Sequence, residues 1–425
     1  MKLLVVGGGG REHAIIKKLR ENPAVSEIFA LPGNGGMAAQ AQCVPIKATD
    51  LDGIADFAVA QGVDYAVVTP DDPLVLGAVD RLEAAGIPCF GPRQNAAILE
   101  GSKAFAKDLM ARYGIPTARY QVFTDLPQAL SYVQTQPAPL VVKADGLALG
   151  KGVLICRTQA EAEQAVTDML QNGKFGRSGA RVVVEEFLEG PEVSVLALTD
   201  GETLRPLVSS MDHKRALDGD RGLNTGGMGA VAPNPYYTPQ IAKTCMETIF
   251  LPTIRAMAAE GRPFRGCLYF GLMLTKDGPK VIEYNCRFGD PETQAVLPLL
   301  DGDLLDLMLA TTRGTLAETP CRLSSKSACC VVTASQGYPQ QYETGFPLEM
   351  SPEAAAHTDF AGVRLDGGQL VTAGGRVAAT TAVQDTLDQA VREAYRLAQG
   401  VRFANAYRRR DIGQRALAAQ NKTGG

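Results

Sequence analysis

Val281-Ile282-Glu283-Tyr284-Asn285-Cys286-Arg287-Phe288-Gly289-Asp290-Pro291-Glu292-Thr293 is the stretch around which the rest of the chain is organised. Its first half reads as a strand of Val, Ile and Tyr. Side chains alternate across a strand, so Glu283 and Asn285 fall on one face while Ile282 and Tyr284 take the other. A carboxylate beside an amide carbonyl suits Mg²⁺, which is held by one or two protein oxygens together with substrate phosphates and water. Arg287, at the strand end, is placed to hold a carboxylate or a transferring phosphoryl group, and Asp290 and Glu292 add charge on a Gly-Pro turn. A solvated charged turn after an edge strand is the plainer reading, and spacing alone weighs the two about evenly.

With 425 residues, 45% of them hydrophobic and 21% charged, the chain reads as a soluble globular protein. Its length corresponds to about three domains. The net charge of -4 offers no overall basic surface, so no nucleic-acid partner is expected. Nine cysteines without a C-x-x-C pair suit neither a zinc ribbon nor a disulfide framework, and read as reduced, buried thiols of a cytoplasmic protein. The apolar run Leu3 to Val6 is too short for a signal peptide core or a membrane span, and no membrane association is expected.

Lys2 to Val6 reads as a buried strand, Gly7 to Gly10 as a turn, and Arg11 onwards as a helix ending near Asn22-Pro23. Such a unit presents backbone N–H groups at a helix N-terminus, where a phosphate is favoured. The dinucleotide fingerprint is broken, because G-x-G-x-x-G counted from Gly7 reaches Glu12 and from Gly8 reaches His13. The strand Glu27 to Leu31 also lacks a following acidic residue for an adenosine ribose. NAD is therefore disfavoured and a phosphorylated small molecule preferred. Helix 51 to 61, strand Tyr65 to Thr69, helix 73 to 85 and strand Pro88 to Phe90 continue an alternation that predicts a parallel sheet. Asp71 lies beyond one strand end, facing sugar hydroxyls, with Asp72-Pro73 as the helix start.

Glu100-Gly101-Ser102-Lys103 opens a helix to Tyr113 and a second domain. A smaller α/β unit follows, with helix 125 to 134, strand Leu140 to Lys143, strand Val153 to Cys156, helix 159 to 171 and strand Arg181 to Glu185. The loop Ala144 to Gly152 departs from a Walker A motif in spacing and in the residue after Lys151, and it joins two strands. It reads as a flap whose N–H groups and lysine cover phosphates, with Lys143 and Lys151 at its ends. Val182 to Leu188 reads as a strand whose end offers backbone groups to a purine, with Glu192 near its ribose; taken alone it is an ordinary strand and turn. The Gly-rich region from Ser209 to Gly229 is aperiodic, as functional loops are, and His213 reads as a locally hydrogen-bonded residue. A helix from Pro239 to Glu260 and strands 266 to 274 and 280 to 285 deliver the oxygen pair. Beyond Thr319-Pro320 come strands Ser327 to Thr333, Gly362 to Leu365, Leu370 to Ala373 and Arg376 to Thr381, then a helix 385 to 399, together a small β-rich domain without a catalytic constellation.

Taken together, Gly9-Gly10-Arg11-Glu12-His13, Glu100 to Phe105, Lys143 to Gly146, Asp212 to Arg215, Asn224 to Gly229 and Glu283 to Thr293 closely resemble the glycinamide ribonucleotide synthetase (phosphoribosylamine-glycine ligase) family of the ATP-grasp superfamily. The resemblance runs over essentially the whole chain. It implies an α/β protein with an N-terminal parallel-sheet substrate domain (1–102), a two-part ATP-grasp domain (103–319, its mobile lid about 121–188) and a C-terminal α+β domain (320–425). ATP would lie near Lys103 and Lys143, along Glu185, Glu186, Phe187 and Leu188, with Glu192 at its ribose and Gly150 and Lys151 in the flap. Glu283 and Asn285 match the Mg²⁺ or Mn²⁺ positions. Gly9, Gly10, Arg11, Glu12 and Asp71 would face 5-phosphoribosylamine. Asp212, Lys214, Thr225, Gly226, Arg287 and Asp290 would serve the substrates, with Arg287 and Lys151 acting on the transferring phosphoryl group. Many relatives carry Gly-Pro-Glu at Thr69-Pro70-Asp71, which shortens the carboxylate here by a methylene, and a small residue at Leu149. The implied reaction joins glycine to phosphoribosylamine through glycyl phosphate, in a cytoplasmic monomer. The competing readings are a nicotinamide oxidoreductase and an inactive nucleotide-binding protein.

Overall fold

The computed structural model describes residues 1–148 and 152–423. The first sheet is parallel and runs in the order Gln42–Cys43, Glu27–Pro32, Lys2–Gly7, Tyr65–Val68, Cys89–Phe90. The chain winds to one side of Lys2–Gly7 and then returns to the other, so the crevice beyond Gly7 and Val68 is the topological switch point at which such sheets bind ligands. The near-continuous apolar runs follow from burial on both faces.

The helix expected over 73 to 85 is two helices, Asp71–Leu76 and Ala78–Ala84, broken at Gly77, whose φ of 96° continues neither. Pro70, not Asp72, holds the cap position, and no side chain caps this helix. Gln94–Gly101 adds a helix that ends where Ser102 caps Lys103–Arg112, its Oγ accepting from the Phe105 N–H at 3.1 Å.

The second sheet is antiparallel and runs in the order Tyr120–Phe123, Val182–Glu186, Leu140–Ala144, Val153–Cys156. The apolar faces of Leu126–Thr135 and Gln159–Leu170 close its core. The opposing floor sheet runs Leu204–Pro206, Glu192–Thr199, Gly266–Thr275, Gly278–Asn285. The helix read from Pro239 to Glu260 contains a wider π turn, Met246–Phe250, before Pro252, which lacks the N–H a regular turn needs. A fourth sheet runs Met211–Asp212, Gly229–Ala232, Ser327–Ser335, Arg376–Gln384, Thr358–Phe360, so strands from both sides of residue 319 share it. Among the described residues, no helix is long and apolar enough to cross a membrane.

Candidate active site

The floor strand Gly278–Asn285 does not alternate as its sequence suggests. Gly271 pairs with Glu283 and Leu272 with Val281, leaving Ile282 as a bulge. Val281 and Tyr284 therefore both enter the core, and Val281, not Ile282, shares Tyr284's side. The bulge frees the Ile282 carbonyl, which accepts from Lys143 Nζ at 2.9 Å.

Glu283 stays ionised although it is half-buried. Burial alone raises a carboxyl, but Lys214, Lys143, Lys103 and Arg287 outweigh it and hold Glu283 below its ordinary value. Lys214 Nζ stands 3.6 Å from Glu283 and 3.4 Å from Glu192. Burial pulls the Lys103 ammonium down, and its Nζ donates to the Gly146 carbonyl at 2.9 Å. Lys143 and Lys107 each meet the buried Glu185 carboxylate at 2.9 Å, so Glu185 ties the strand Val182–Glu186 to Lys103–Arg112. Glu186 turns away to Arg119 at 2.7 Å and Lys280 at 3.7 Å, while Phe187 and Leu188 stay half-buried beside it.

Arg287 bridges the strand end. Its Nη2 lies 3.1 Å from Glu100 and donates to Asn285 Oδ1 at 3.1 Å, while Nε is buried without a partner. Glu100 also accepts from the Cys286 N–H at 2.6 Å, so the helix Gln94–Gly101 sets the height of Arg287. Asp212 is raised by burial and by neighbouring Glu292, and its Oδ1 is unpartnered. Thr225 and Gly226 are both engaged: Thr225 donates to the Lys214 carbonyl of its own loop region at 2.9 Å, and the Gly226 N–H donates to Tyr338 Oη, 112 residues further along the chain, at 3.1 Å. Two oxygens alone do not cage a cation, and among the described residues no group of three or more His, Cys, Asp or Glu is arranged to do so. An ionised carboxylate beside an amide oxygen, with cations converging on the same face, fits a divalent ion whose remaining ligands are phosphate oxygens.

The glycine turn differs from expectation. The Gly9 N–H donates to Glu12 Oε2 at 2.7 Å and the Arg11 N–H to Asp290 Oδ2 at 3.3 Å, so carboxylates of the chain itself already sit at the helix N-terminus. Glu12, 2% exposed, also binds Arg11 and Thr69 at 2.6 Å each and serves the turn's structure. A Cβ on Gly8 would stand 2.5 Å from the Gly33 carbonyl, which is why this backbone must be glycine. The space left is a cavity of about 570 Å³ walled by the glycine turn, Pro70, Arg11, Lys47, Asp290 and Arg376. Gly10 stands just beyond it against Gln294, and Asp71 lies within the field of Arg287 and Glu100. Leu149, Gly150 and Lys151 lie outside the described residues.

Three participants escaped the sequence reading. Glu100 stood in a quoted motif without a role. Lys107 sits one helical turn after Lys103, a spacing that does place it on the same face. Arg376 had no local signal; it reaches across 86 residues to the Asp290 carbonyl at 2.9 Å and pairs with the Asp290 carboxylate at 3.1 Å.

Models of the phosphoribosylglycinamide synthetase N domain, ATP-grasp (A) domain and C domain match residues 1–100, 101–293 and 328–415. The chain is 50% identical to a phosphoribosylamine–glycine ligase of Allochromatium vinosum, covering 99% of this chain and 100% of the relative. It is 47% identical to one of Yersinia pestis, covering 98% and 99%. A crystal structure of the phosphoribosylamine–glycine ligase of Thermotoga maritima superposes with a TM-score of 0.87 at 34% identity, over 97% of this chain and 100% of that one. The biotin carboxylase domain of Hydrogenobacter thermophilus 2-oxoglutarate carboxylase shares the fold, with a TM-score of 0.71 at 16% identity over 96% and 91%.

Proposed function

The chain belongs to the phosphoribosylglycinamide synthetase family and is an ADP-forming ligase joining glycine to phosphoribosylamine in purine biosynthesis, and we propose that the chemistry runs through glycyl phosphate on the Glu283–Asn285 face. The nicotinamide alternative is not favoured. The enzyme uses ATP and a divalent metal; Mg²⁺ or Mn²⁺, held by Glu283 and Asn285, would draw charge from the phosphate oxygens. The observation that carries this reading is the convergence of Lys214, Lys143, Lys103 and Arg287 on one carboxylate.

A glycine carboxylate acylates poorly at neutral pH. Transfer of the γ-phosphoryl group to it gives an acyl phosphate, and the amine of phosphoribosylamine then attacks the acyl carbon and expels phosphate. Arg287, with Lys151 of the flap, offsets the charge spreading over the phosphoryl oxygens, so this catalysis is positioning and electrostatics without a protein nucleophile. The segment Glu185 to Leu188, through its backbone, and Glu192 would serve the nucleotide, a role that also falls to Gly150, and Asp212, Lys214, Thr225 and Gly226 would serve the substrate side. The phosphoribosyl group occupies the cavity walled by Gly9, Arg11, Glu12 and Asp290, with Gly10 just beyond it and Asp71 next in the chain to its wall residue Pro70, and Lys47 and Arg376 add positive charge there. The domain division at 102 and 319, with its lid over 121–188, a monomeric state and a cytoplasmic location belong to the same proposal.

An ADP-release assay with each substrate omitted in turn tests it. ADP formation is expected to require both glycine and phosphoribosylamine; formation of AMP, or full turnover without glycine, overturns the reading.

A further inference from the structure

His13 belongs to the Gly9 to His13 motif, yet neither nucleotide nor metal chemistry uses it. It is 1% exposed. Its Nδ1 accepts from the Phe360 N–H at 2.8 Å, and its ring stacks on the Phe360 ring at 5.6 Å between centroids. The Phe360 carbonyl in turn accepts from Asn34 Nδ2 at 2.8 Å, and that same nitrogen donates to the Gly8 carbonyl at 2.9 Å. Both backbone groups of Phe360 are thus held by the first domain, and Asn34 ties them directly to the glycine turn.

Phe360 lies in Thr358–Phe360, paired with Ala378 of the strand Arg376–Gln384. Just beyond it, the Gly362 N–H donates to the Arg376 carbonyl at 2.8 Å. Hydrogen bonds at Phe360 and Gly362, two residues apart in the chain, therefore connect His13 and Asn34 to Arg376, and the cavity has Gly8, held by Asn34, on one wall and Arg376 on another.

We infer that His13 and Asn34 are positioning residues: by clamping Phe360 they fix the distance between the glycine turn and Arg376, and so the fit of the phosphoribosyl group. This rests on the reading that the cavity takes that group. The clamp needs an unprotonated Nδ1, and the burial that drives the His13 pKa down to about 3 keeps it so. Lys17 grips the same strand at the Thr358 carbonyl (2.6 Å) and at Asp359 (2.9 Å) without touching the turn, which makes it an internal control.

The test compares KM for phosphoribosylamine, ATP and glycine in the full-length enzyme and its variants. His13→Gln, whose amide mimics Nε2, is expected to raise KM for phosphoribosylamine about tenfold, the effect of one lost orienting hydrogen bond, and to leave the other two constants within about twofold. His13→Asn places an acceptor where Nδ1 stands and is expected to restore it. Asn34→Ala probes the same clamp from the other side, should His13→Gln fold poorly, and is expected to show the same selective rise. Lys17→Met is expected to lower the melting temperature without moving KM. Equal rises for all three substrates, or indistinguishable His13→Gln and His13→Asn enzymes, overturn the inference. An unmodified enzyme that does not consume phosphoribosylamine overturns the functional reading beneath it, a distinct result.

Discussion

Glu283 shows how a residue's environment decides its chemistry. Burial raises its carboxyl, but Lys214, Lys143, Lys103 and Arg287 outweigh that and hold it below its ordinary value, so it stays an anion. Glu283→Gln keeps the shape and removes the charge; we expect kcat to fall by about a hundredfold or more, with the far-ultraviolet circular dichroism unchanged. Wild-type turnover would remove Glu283 from the metal site. Two histidines make the opposite choice. Burial, then Lys17, lowers His13 to about 3, and burial, then Arg415, lowers His213 to about 4, from 6.5 in the unfolded chain. Below 6.5 the unfolded chain binds protons that the folded chain refuses, so this part of the stability is complete above 6.5 and is lost as the pH falls toward 4. The melting temperature is expected to drop between pH 7 and pH 5, with a shallower slope in His13→Asn. Parallel slopes would show that His13 does not titrate in this way.

At the scale of elements, caps and bulges set the height of the site. Ser102 caps Lys103–Arg112 and donates to Asp145, just past the strand Leu140–Ala144, at 3.0 Å. Ser102→Ala is expected to cost about 1–2 kcal/mol in urea unfolding, from the lost cap and a less satisfied Asp145. A change within error would mean that water replaces the hydroxyl. Ile282 marks what periodicity misses. Its neighbours Val281 and Tyr284 both look like core residues, yet their spacing of three contradicts a strand unless one residue is extruded, and only the pairing with Gly271 and Leu272 shows which. The glycine at 77 was equally visible in the sequence, but its left-handed φ, which splits the helix, belongs to the tertiary path of the chain.

Across the whole molecule, Asp290 is the point where three regions meet. It lies at the end of the floor strand's turn, caps the first helix through the Arg11 N–H and pairs with Arg376 of the last sheet. Burial opposes its charge, but Arg376 and then Arg11 hold its pKa below the ordinary value. Its stabilising contribution is therefore present above the unfolded carboxyl range and lost as the pH falls through the folded value. Asp290→Asn is expected to lower stability by about 2 kcal/mol and to raise KM for phosphoribosylamine more than KM for ATP. Equal effects on both would argue against a place in the sugar-phosphate cavity. The parallel first sheet, the strand pair Leu140–Ala144 and Val153–Cys156, and the side-by-side placement of Glu283 and Asn285 were all legible in the sequence, because strand periodicity and glycine punctuation are local properties. The surroundings of the glycine turn were not: it read as open to phosphate, whereas Glu12 and Asp290 take its Gly9 and Arg11 N–H groups and Arg376, from a domain read as lacking a catalytic constellation, walls the same cavity. Those contacts join residues far apart in the chain, and only packing three domains against one another decides which charges meet.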